Sequence, residues 1–275
     1  MNIAATASAD WLNDLPLTPG PPDLRMGTRA LDIAEWLPVD ALTPSELKLR
    51  REILAEHGTS VARMVPGHER GIDELLSLVE IHLGDRLDRS AGSPMEQLAV
   101  SVPDDVLVMW RDEKNWRLVG GTLLFPNHWT LDEKIGKTLA DIHGPVNGYD
   151  ELLEARMDRF FDKLSPARPV VRRNWFFHDN PTFFAPTRQD HIPIEDPDDA
   201  GRLYVRSEWQ TLRRLAFSNL IIFTVKTQVA PISELKARSR VVEQMRIFLE
   251  SASQRSLENK GALTRSQAIL EYLTR

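Results

Sequence analysis

The sequence predicts an α+β fold: an antiparallel sheet with flanking helices. Apolar residues recur at helical spacing near both ends of the chain. Short β-prone runs fill much of the middle, joined by polar turns in the manner of hairpins. These runs do not alternate with helices as βαβ units do, which argues against a parallel doubly wound sheet.

Residues 1–26 read as an extended arm, because Pro16, Pro19, Pro21 and Pro22 interrupt regular hydrogen bonding. TPSELKLRREILAEHG predicts the first helix. Thr43 is the expected N-cap, Pro44 fits the first helical position, Glu46 closes a T-x-x-E capping box, and Gly58 ends the helix. GIDELLSLVEIHL predicts the second helix, with Ile72, Leu75, Leu76, Val79 and Leu83 on one stripe. VLVMWR (106–111) and WRLVGGTLL (116–124) pair as a hairpin across the polar DEKN. GYDELLEARMDRFFDKL is helical, with Leu153, Met157, Phe160, Phe161 and Leu164 along one face. RPVVRRNWFFH (168–178) is a strand, and a loop rich in Pro and Asp leads to another at RLYVR (202–206). SEWQTLRRL is expected to be a short helix, since Ser207 and Gln210 repeat the capping-box spacing. NLIIFTVKTQV (219–229) is the most apolar strand. Helices at roughly 232–252 and 264–273 close the chain, the latter with Thr264 and Gln267 as its box.

Composition narrows the function. The chain has 275 residues, 42% of them hydrophobic and 27% charged, which suits a globular protein with a substantial core. A net charge of −6 gives no electrostatic reason to bind nucleic acid or an anionic membrane. The lack of cysteine excludes disulfides, thiolate-bound zinc, an all-cysteine iron–sulfur cluster, a cysteine nucleophile and a thiolate haem ligand. MNIAATASADWLNDLP lacks the basic and apolar regions of a secretory signal, and no apolar run approaches a membrane span. A cytoplasmic location is expected.

Familiar catalytic motifs are missing: no P-loop, no G-x-G-x-x-G, no H-E-x-x-H and no G-x-S-x-G. The seven histidines do not pair at helical spacing, so a helical zinc site is not indicated. His143, in ADIHGPV, stands before Gly144 and Pro145. Two readings are open there. A histidine at a helix C-terminus can interact with the last carbonyls. A rigid turn beside a glycine can also present an imidazole to a flat cofactor. In RRNW (172–175), strand alternation puts Arg172 and Asn174 on one face and Arg173 and Trp175 on the other. Such an arginine is either an ordinary strand residue or a fork for a carboxylate. Around Glu208 the charges of RSEWQTLRRL are either solvated or a polar cluster for an anionic ligand.

Several motifs in order resemble one family, the haem-dependent oxidative N-demethylases of α-subunit type. WLPVD (36–40) is similar to the family's W-L-x-x-D, and DELLSLVEIHLGDRL and DDVLVMW follow. LFPNHW…EKIGKTLADIHGPV is similar to F-P-x-x-W…K-x-G…I-H-x-P-V-P, and VRRNW to R-x-N-W. VRSEWQTLRRLAFSNLIIFTVKT is similar to R-x-E-R-Q-T-L-R-R-L-P…F-T-I-R-T. The resemblance runs from about Gly27 to Pro231. Asn147, Trp209 and Ala216 depart from it, standing where the family has Pro, Arg and Pro.

The resemblance implies a PAS-like antiparallel sheet with helices on one side, enclosing haem b. It divides the chain into the arm 1–26, a haem-binding domain with a helical N-terminal part at 27–230, and C-terminal helices at 231–275. It implies oxidative N-demethylation of a small secondary amine, dimethylamine-like, with O₂, releasing formaldehyde. Electrons would come from separate flavin and iron–sulfur reductase subunits. His143 carries over as the iron ligand, with His128 as the fallback. Lys134, Arg172, Arg173 and Arg206 become candidate partners of the haem propionates, Trp175 packs on the cofactor or fills the core, and Glu208 is the candidate distal catalytic group. The same resemblance is compatible with a haem-binding sensor or carrier that lacks monooxygenase activity.

Overall fold

A computed structural model describes residues 9–17, 27–143, 151–189, 191–194 and 196–275. The Gly144–Pro145 turn and Asn147 lie outside the described residues. The chain is α+β. Strands β1 (Arg29–Ala30) and β2 (Ala62–Met64) bracket α1 (Thr43–His57), and α2 (Glu69–Leu83) and α3 (Pro94–Ser101) follow. The hairpin β3 (Asp105–Arg111) and β4 (Trp116–Thr122) leads to α4 (Leu131–Lys134), α5 (Leu139–His143) and α6 (Glu151–Lys163). Three long strands come next: β5 (Val170–His178), β6 (Tyr204–Arg214) and β7 (Ile221–Pro231). Helices α7 (Ser239–Ser251), α8 (Gln254–Asn259) and α9 (Ser266–Thr274) finish the chain.

All seven strands form one antiparallel sheet in the order β1-β5-β6-β7-β3-β4-β2. Helices α1 to α3 pack their apolar stripes on one face, against Val106, Val108, Val171 and Ile222. The C-terminal helices cover the same face further along, against Trp175, Phe177, Val205 and Ala230, and Leu12, Leu15 and Leu17 of the N-terminal segment join that core. Leu131, Leu139, Phe161 and Leu164 of the α4–α6 region pack on the opposite face, against Leu107, Met109 and Leu212. Helices thus cover both faces, where the resemblance implies one. Double covering matters for the site, because it takes the long central strands out of water on both sides.

The expected helix over SEWQTLRRL is strand β6. Its burial explains the misreading: Val205, Arg206, Ser207 and Glu208 are all buried, as are Thr211 and Leu212. A strand buried on both faces loses the apolar–polar alternation by which strands are recognised. The Ser207–Gln210 spacing was coincidental. Ser207 instead donates to the Asn174 carbonyl at 3.1 Å.

The start of α1 also differs from expectation. Leu42 is the N-cap, and the Thr43 hydroxyl accepts from the Asp40 N–H at 2.9 Å. Glu46 closes no box. It turns inward to the Lys226 ammonium, and both side chains are almost wholly buried. Burial raises the Glu46 carboxyl above its ordinary range, even against the attraction of Lys226. The pair joins α1 to the middle of β7. A real capping box, Ser93 with Glu96, opens the unpredicted α3.

A second buried pair organises the far end of β3. Arg50 Nη1 donates to Asp105 Oδ1 at 2.8 Å, and Arg50 Nε to the Ala99 carbonyl at 2.8 Å. Asp105 also accepts from the backbone N–H groups of Leu124 (2.8 Å) and Phe125 (3.0 Å). The carboxylate thereby fixes the start of the LFPNHW segment. Removing one member would leave the other charged and unpaired, at a cost of about 3–5 kcal/mol.

Beside these pairs Asp104 is fully buried, and neither of its oxygens has a hydrogen-bond partner. Burial raises its pKa from 3.8 to about 7, opposed by Lys226 and Arg50. Between those values the folded protein keeps a proton that the unfolded chain has released. Stability therefore falls as pH rises through that window. Asp104→Asn is expected to gain thermal stability over the parent, by a margin that widens from about pH 5 to about pH 8 in denaturation scans.

Candidate functional site

The site is built on β5 and β6. Antiparallel pairing sets Arg172 opposite Gln210, and Asn174 opposite Glu208. Residues directly opposite share a face. These four polar side chains therefore form one patch on the sheet face that also carries α4 to α6. Glu208 is buried, and Oε2 accepts from Gln210 Nε2 at 2.8 Å. Burial lowers the Arg172 guanidinium, and Glu208 opposes the effect.

Two lysines reach the patch from other elements. Lys134, at the end of α4, stands 4.2 Å from the centre of the Trp129 ring. Burial lowers its ammonium, and Glu208 is among the carboxylates that raise it again. Lys260 comes from the turn after α8. Its Nζ donates to Asn174 Oδ1 at 2.7 Å, and its carbonyl accepts from the Phe177 N–H at 2.9 Å, extending the edge of β5. Gly261 makes this turn possible. Its φ is +67°, and a Cβ there would lie 2.8 Å from the Phe177 carbonyl oxygen. Burial, with the nearby Arg172 adding to the effect, brings Lys260 down from 10.5 to about 7, and Glu208 opposes both.

His143 lies at the C-terminal end of α5, half-buried, with Nδ1 2.9 Å from the Leu139 carbonyl. This is the contact that the helix-end reading expects. A carbonyl partner makes Nδ1 the protonated nitrogen and Nε2 the basic one. Burial lowers the pKa of the ring against the opposing hydrogen bond to Leu139, and Lys134 and Arg172 lower it further, which favours the neutral imidazole. The helix-end contact engages Nδ1.

Of the residues singled out in the sequence, the structure brings together Glu208, Arg172, Lys134 and His143. The others lie elsewhere. Arg173 is on the opposite face, donating to Ser207 Oγ (2.8 Å) and Gln228 Oε1 (2.6 Å). Trp175 is fully buried on that face, edge-on to Phe177 and Phe248 in the C-terminal core. Arg206 is fully buried, and its terminal nitrogens donate to the carbonyls of Phe125 (2.6 Å), Pro126 (3.1 Å), Phe183 (3.2 Å) and Thr182 (3.3 Å). It ties two loops to β6. His128 stacks on His178 in a separate cluster. Sequence reasoning missed Lys260 and Gln210. The i, i+2 relation of Glu208 and Gln210 becomes visible once 204–214 is read as a strand.

A model of the family "Haem-dependent oxidative N-demethylase, alpha subunit-like" matches residues 80–270, well over half of the chain. The chain belongs to this family. Its description carries haem dependence and oxidative N-demethylation, and "alpha subunit" implies further subunits. The match runs from α2 into α9 and includes every residue of the patch.

The residues present fit a haem. Arg172, Lys134 and Lys260 all face Glu208, and Glu133 acts on Lys134 as well, so among the described residues the cations of the patch outnumber its carboxylates. An anionic group with carboxylates of its own would balance that surplus. Among the described residues, no group of three or more His, Asp or Glu side chains is disposed to hold a metal ion. Haem iron needs only an axial side chain, because the porphyrin supplies the other ligands. Two departures from the family pattern leave the patch untouched. Trp209 faces away, beneath Arg29 and Arg173, and Ala216 is exposed beyond the end of β6. Among the described residues no helix is long and apolar enough to cross a membrane.

Since Glu208 raises and Arg172 lowers the Lys260 ammonium, Glu208→Gln will push it further below about 7, and Arg172→Gln will move it up. Carbon-13 NMR of the reductively dimethylated protein, titrated with pH, reads both shifts. A Lys260 signal that titrates with the exposed lysines in every variant would contradict this electrostatic arrangement.

Proposed function

We propose that this chain is the haem b-binding subunit of an oxidative N-demethylase acting on a small secondary amine of the dimethylamine type, in a PAS-like domain. The observation that carries the reading is the convergence of His143, its pKa lowered by burial, with three half-buried cations that all face Glu208, inside the region matched by the family. His143 would ligate the iron through Nε2, with Nδ1 oriented by the Leu139 carbonyl. Arg172, Lys134 and Lys260 would hold the propionates. When bound, the haem supplies the O₂-dependent oxidation that removes a methyl group as formaldehyde.

The chain's own residues then have defined tasks. Glu208 is the carboxylate that would hold the substrate ammonium and accept its proton at an Oε atom. Gln210 fixes that carboxylate by donating to Oε2, leaving Oε1 for the amine. The covering of both sheet faces limits water at Glu208, which strengthens its attraction for a cation. The chain lacks cysteine and cannot build a thiolate-bound electron-transfer cluster. Electrons would come from separate flavin and iron–sulfur reductase subunits, in line with the family's subunit designation.

Adding hemin to the purified chain is expected to give a strong Soret band. His143→Ala should move the band and lower haem retention. Arg172→Ala should weaken hemin binding by roughly tenfold or more, since a charge-assisted hydrogen bond contributes about 1.5–3 kcal/mol. Dimethylamine should perturb the ferric spectrum of the parent and not of Glu208→Gln. A chain that takes up no hemin would end this reading. One that binds hemin and ignores every small methylamine would act as a sensor or carrier instead.

A further inference from the structure

On the far side of Arg206 from the patch lies a separate cavity of about 90 Å³, with His128, His178 and His191 in its lining. On the same kind of measure a single water needs about 10–15 Å³, so several heavy atoms fit. Asp179, Asn180, Thr182, Thr187 and Gln189 complete the polar part of its wall. His178 is the last residue of β5 and is buried. His128 follows the clamped Phe125–Pro126 segment and has φ +61°, a left-handed conformation that costs a non-glycine residue about 1–3 kcal/mol. Its N–H donates to the Ala185 carbonyl at 2.7 Å, and its ring lies 5.3 Å from that of His178, with an interplanar angle of 13°. The strained backbone holds two parallel imidazoles at one cavity wall.

The charges around the two rings are Arg188, Arg206, Arg265, His191 and Asp179. Asp179 is already engaged. Its Oδ1 accepts from Arg265 Nη1 (2.5 Å) and the Ile192 N–H (3.2 Å), and its Oδ2 meets His191 Nδ1 at 2.8 Å. Arg206 meets neutral carbonyl and hydroxyl oxygens, so its charge is not cancelled by a carboxylate in contact. With Asp179 engaged, the arginines just outside the lining leave a positive field among the described residues, and burial, followed by the arginines, lowers the pKa of both imidazoles, His178 to about 3. Among the described residues a cation finds no open carboxylate there, and no metal-holding group exists.

We propose that this cavity is a binding site for a small oxyanion of carboxylate size, distinct from the Glu208 patch, held by the stacked His128–His178 pair. The anion would sit in the field of Arg206 and Arg188. It would draw one proton from solvent onto the imidazole pair and accept an N–H hydrogen bond from it. Binding and proton uptake are thus one event, so affinity rises as pH falls.

The test is NMR of the histidine ring signals of the full chain, titrated with formate and with phosphate at constant ionic strength, chloride serving as the reference anion. Formate should shift the His128 and His178 signals saturably and raise their titration midpoint, leaving His57 in place. Phosphate separates size from charge: weaker saturation than formate supports a carboxylate-sized site, and tighter saturation overturns that size assignment. His178→Gln should remove the saturable shift from His128. If that variant does not fold, His128→Gln, read at His178, makes the same test. Shifts no different from those with chloride, or a saturable response that survives loss of either ring, would overturn the proposal. Hemin uptake plays no part in the readout, so this result and that of the haem reading stand apart.

Discussion

The structure depends on one constraint: β6 is buried on both faces, and it is a polar strand. Arg206, Ser207, Glu208 and Thr211 all lie inside the fold. Each buried polar group must find a partner, since leaving one unpaired costs about 1–3 kcal/mol and more for a charge. The solutions differ residue by residue. Thr211 shares a hydrogen bond with Thr224 on the neighbouring strand at 2.7 Å. Ser207 donates to the Asn174 carbonyl and accepts from Arg173. Arg206 reaches out to backbone carbonyls of two loops and so determines where those loops lie. Glu208 receives an amide from Gln210 and is surrounded by cations. The loop positions and the charge cluster both follow from placing this sequence in the middle of the sheet.

The same constraint explains which parts of the fold were legible. Helices α2 and α6 each carry one apolar stripe whose 3.6-residue periodicity is open to reading, and α1 is announced by Pro44 at its start and Gly58 at its end. The β3–β4 hairpin, β5 and β7 declare themselves by runs of Val, Ile, Phe and Trp. Strand β6 gives the strand signal only at its start, in RLYVR, and beyond Arg206 its buried polar residues hide it. Glu46 is misread as well. Its T-x-x-E spacing is genuine, but Lys226 lies 180 positions further on, and a local motif cannot register that competition. In the site, the alternation of RRNW correctly separates Arg172 from Arg173, because parity along a strand is local information. Lys260 could not be found this way. It enters through a turn that depends on Gly261 and on the edge of β5.

The charge balance of the patch bears on what it can bind. Buried cations are usually matched one to one by carboxylates, as Arg50 is by Asp105 and Lys226 by Glu46. Those pairs stand at the α1 side of the sheet and serve the fold. At Arg172 the match is incomplete, since Glu208 also faces Lys134 and Lys260. A protein that neutralises its buried charges so fully in one place and leaves a surplus in another has a reason for the difference. An anionic cofactor in the second place is such a reason, and haem dependence of the family supplies the group.

Arg206 connects these considerations. It is opposite Phe176 in the sheet, between the Glu208–Asn174 pair on one side and the His178 end of β5 on the other. Its charge is attracted by Glu208, and it lowers the pKa of both His128 and His178. A guanidinium does not lose its proton at any working pH. The charge is therefore constant, and it acts on a carboxylate and on two imidazoles at once. It favours the neutral form of the histidines. Lysine could not replace it: a single ammonium lacks the planar fork that spans the carbonyls of both loops, and burial would draw its proton away. The arginine of the R-x-E pattern is thus better understood as the fixed charge and tether between two polar clusters than as one more ligand to a propionate.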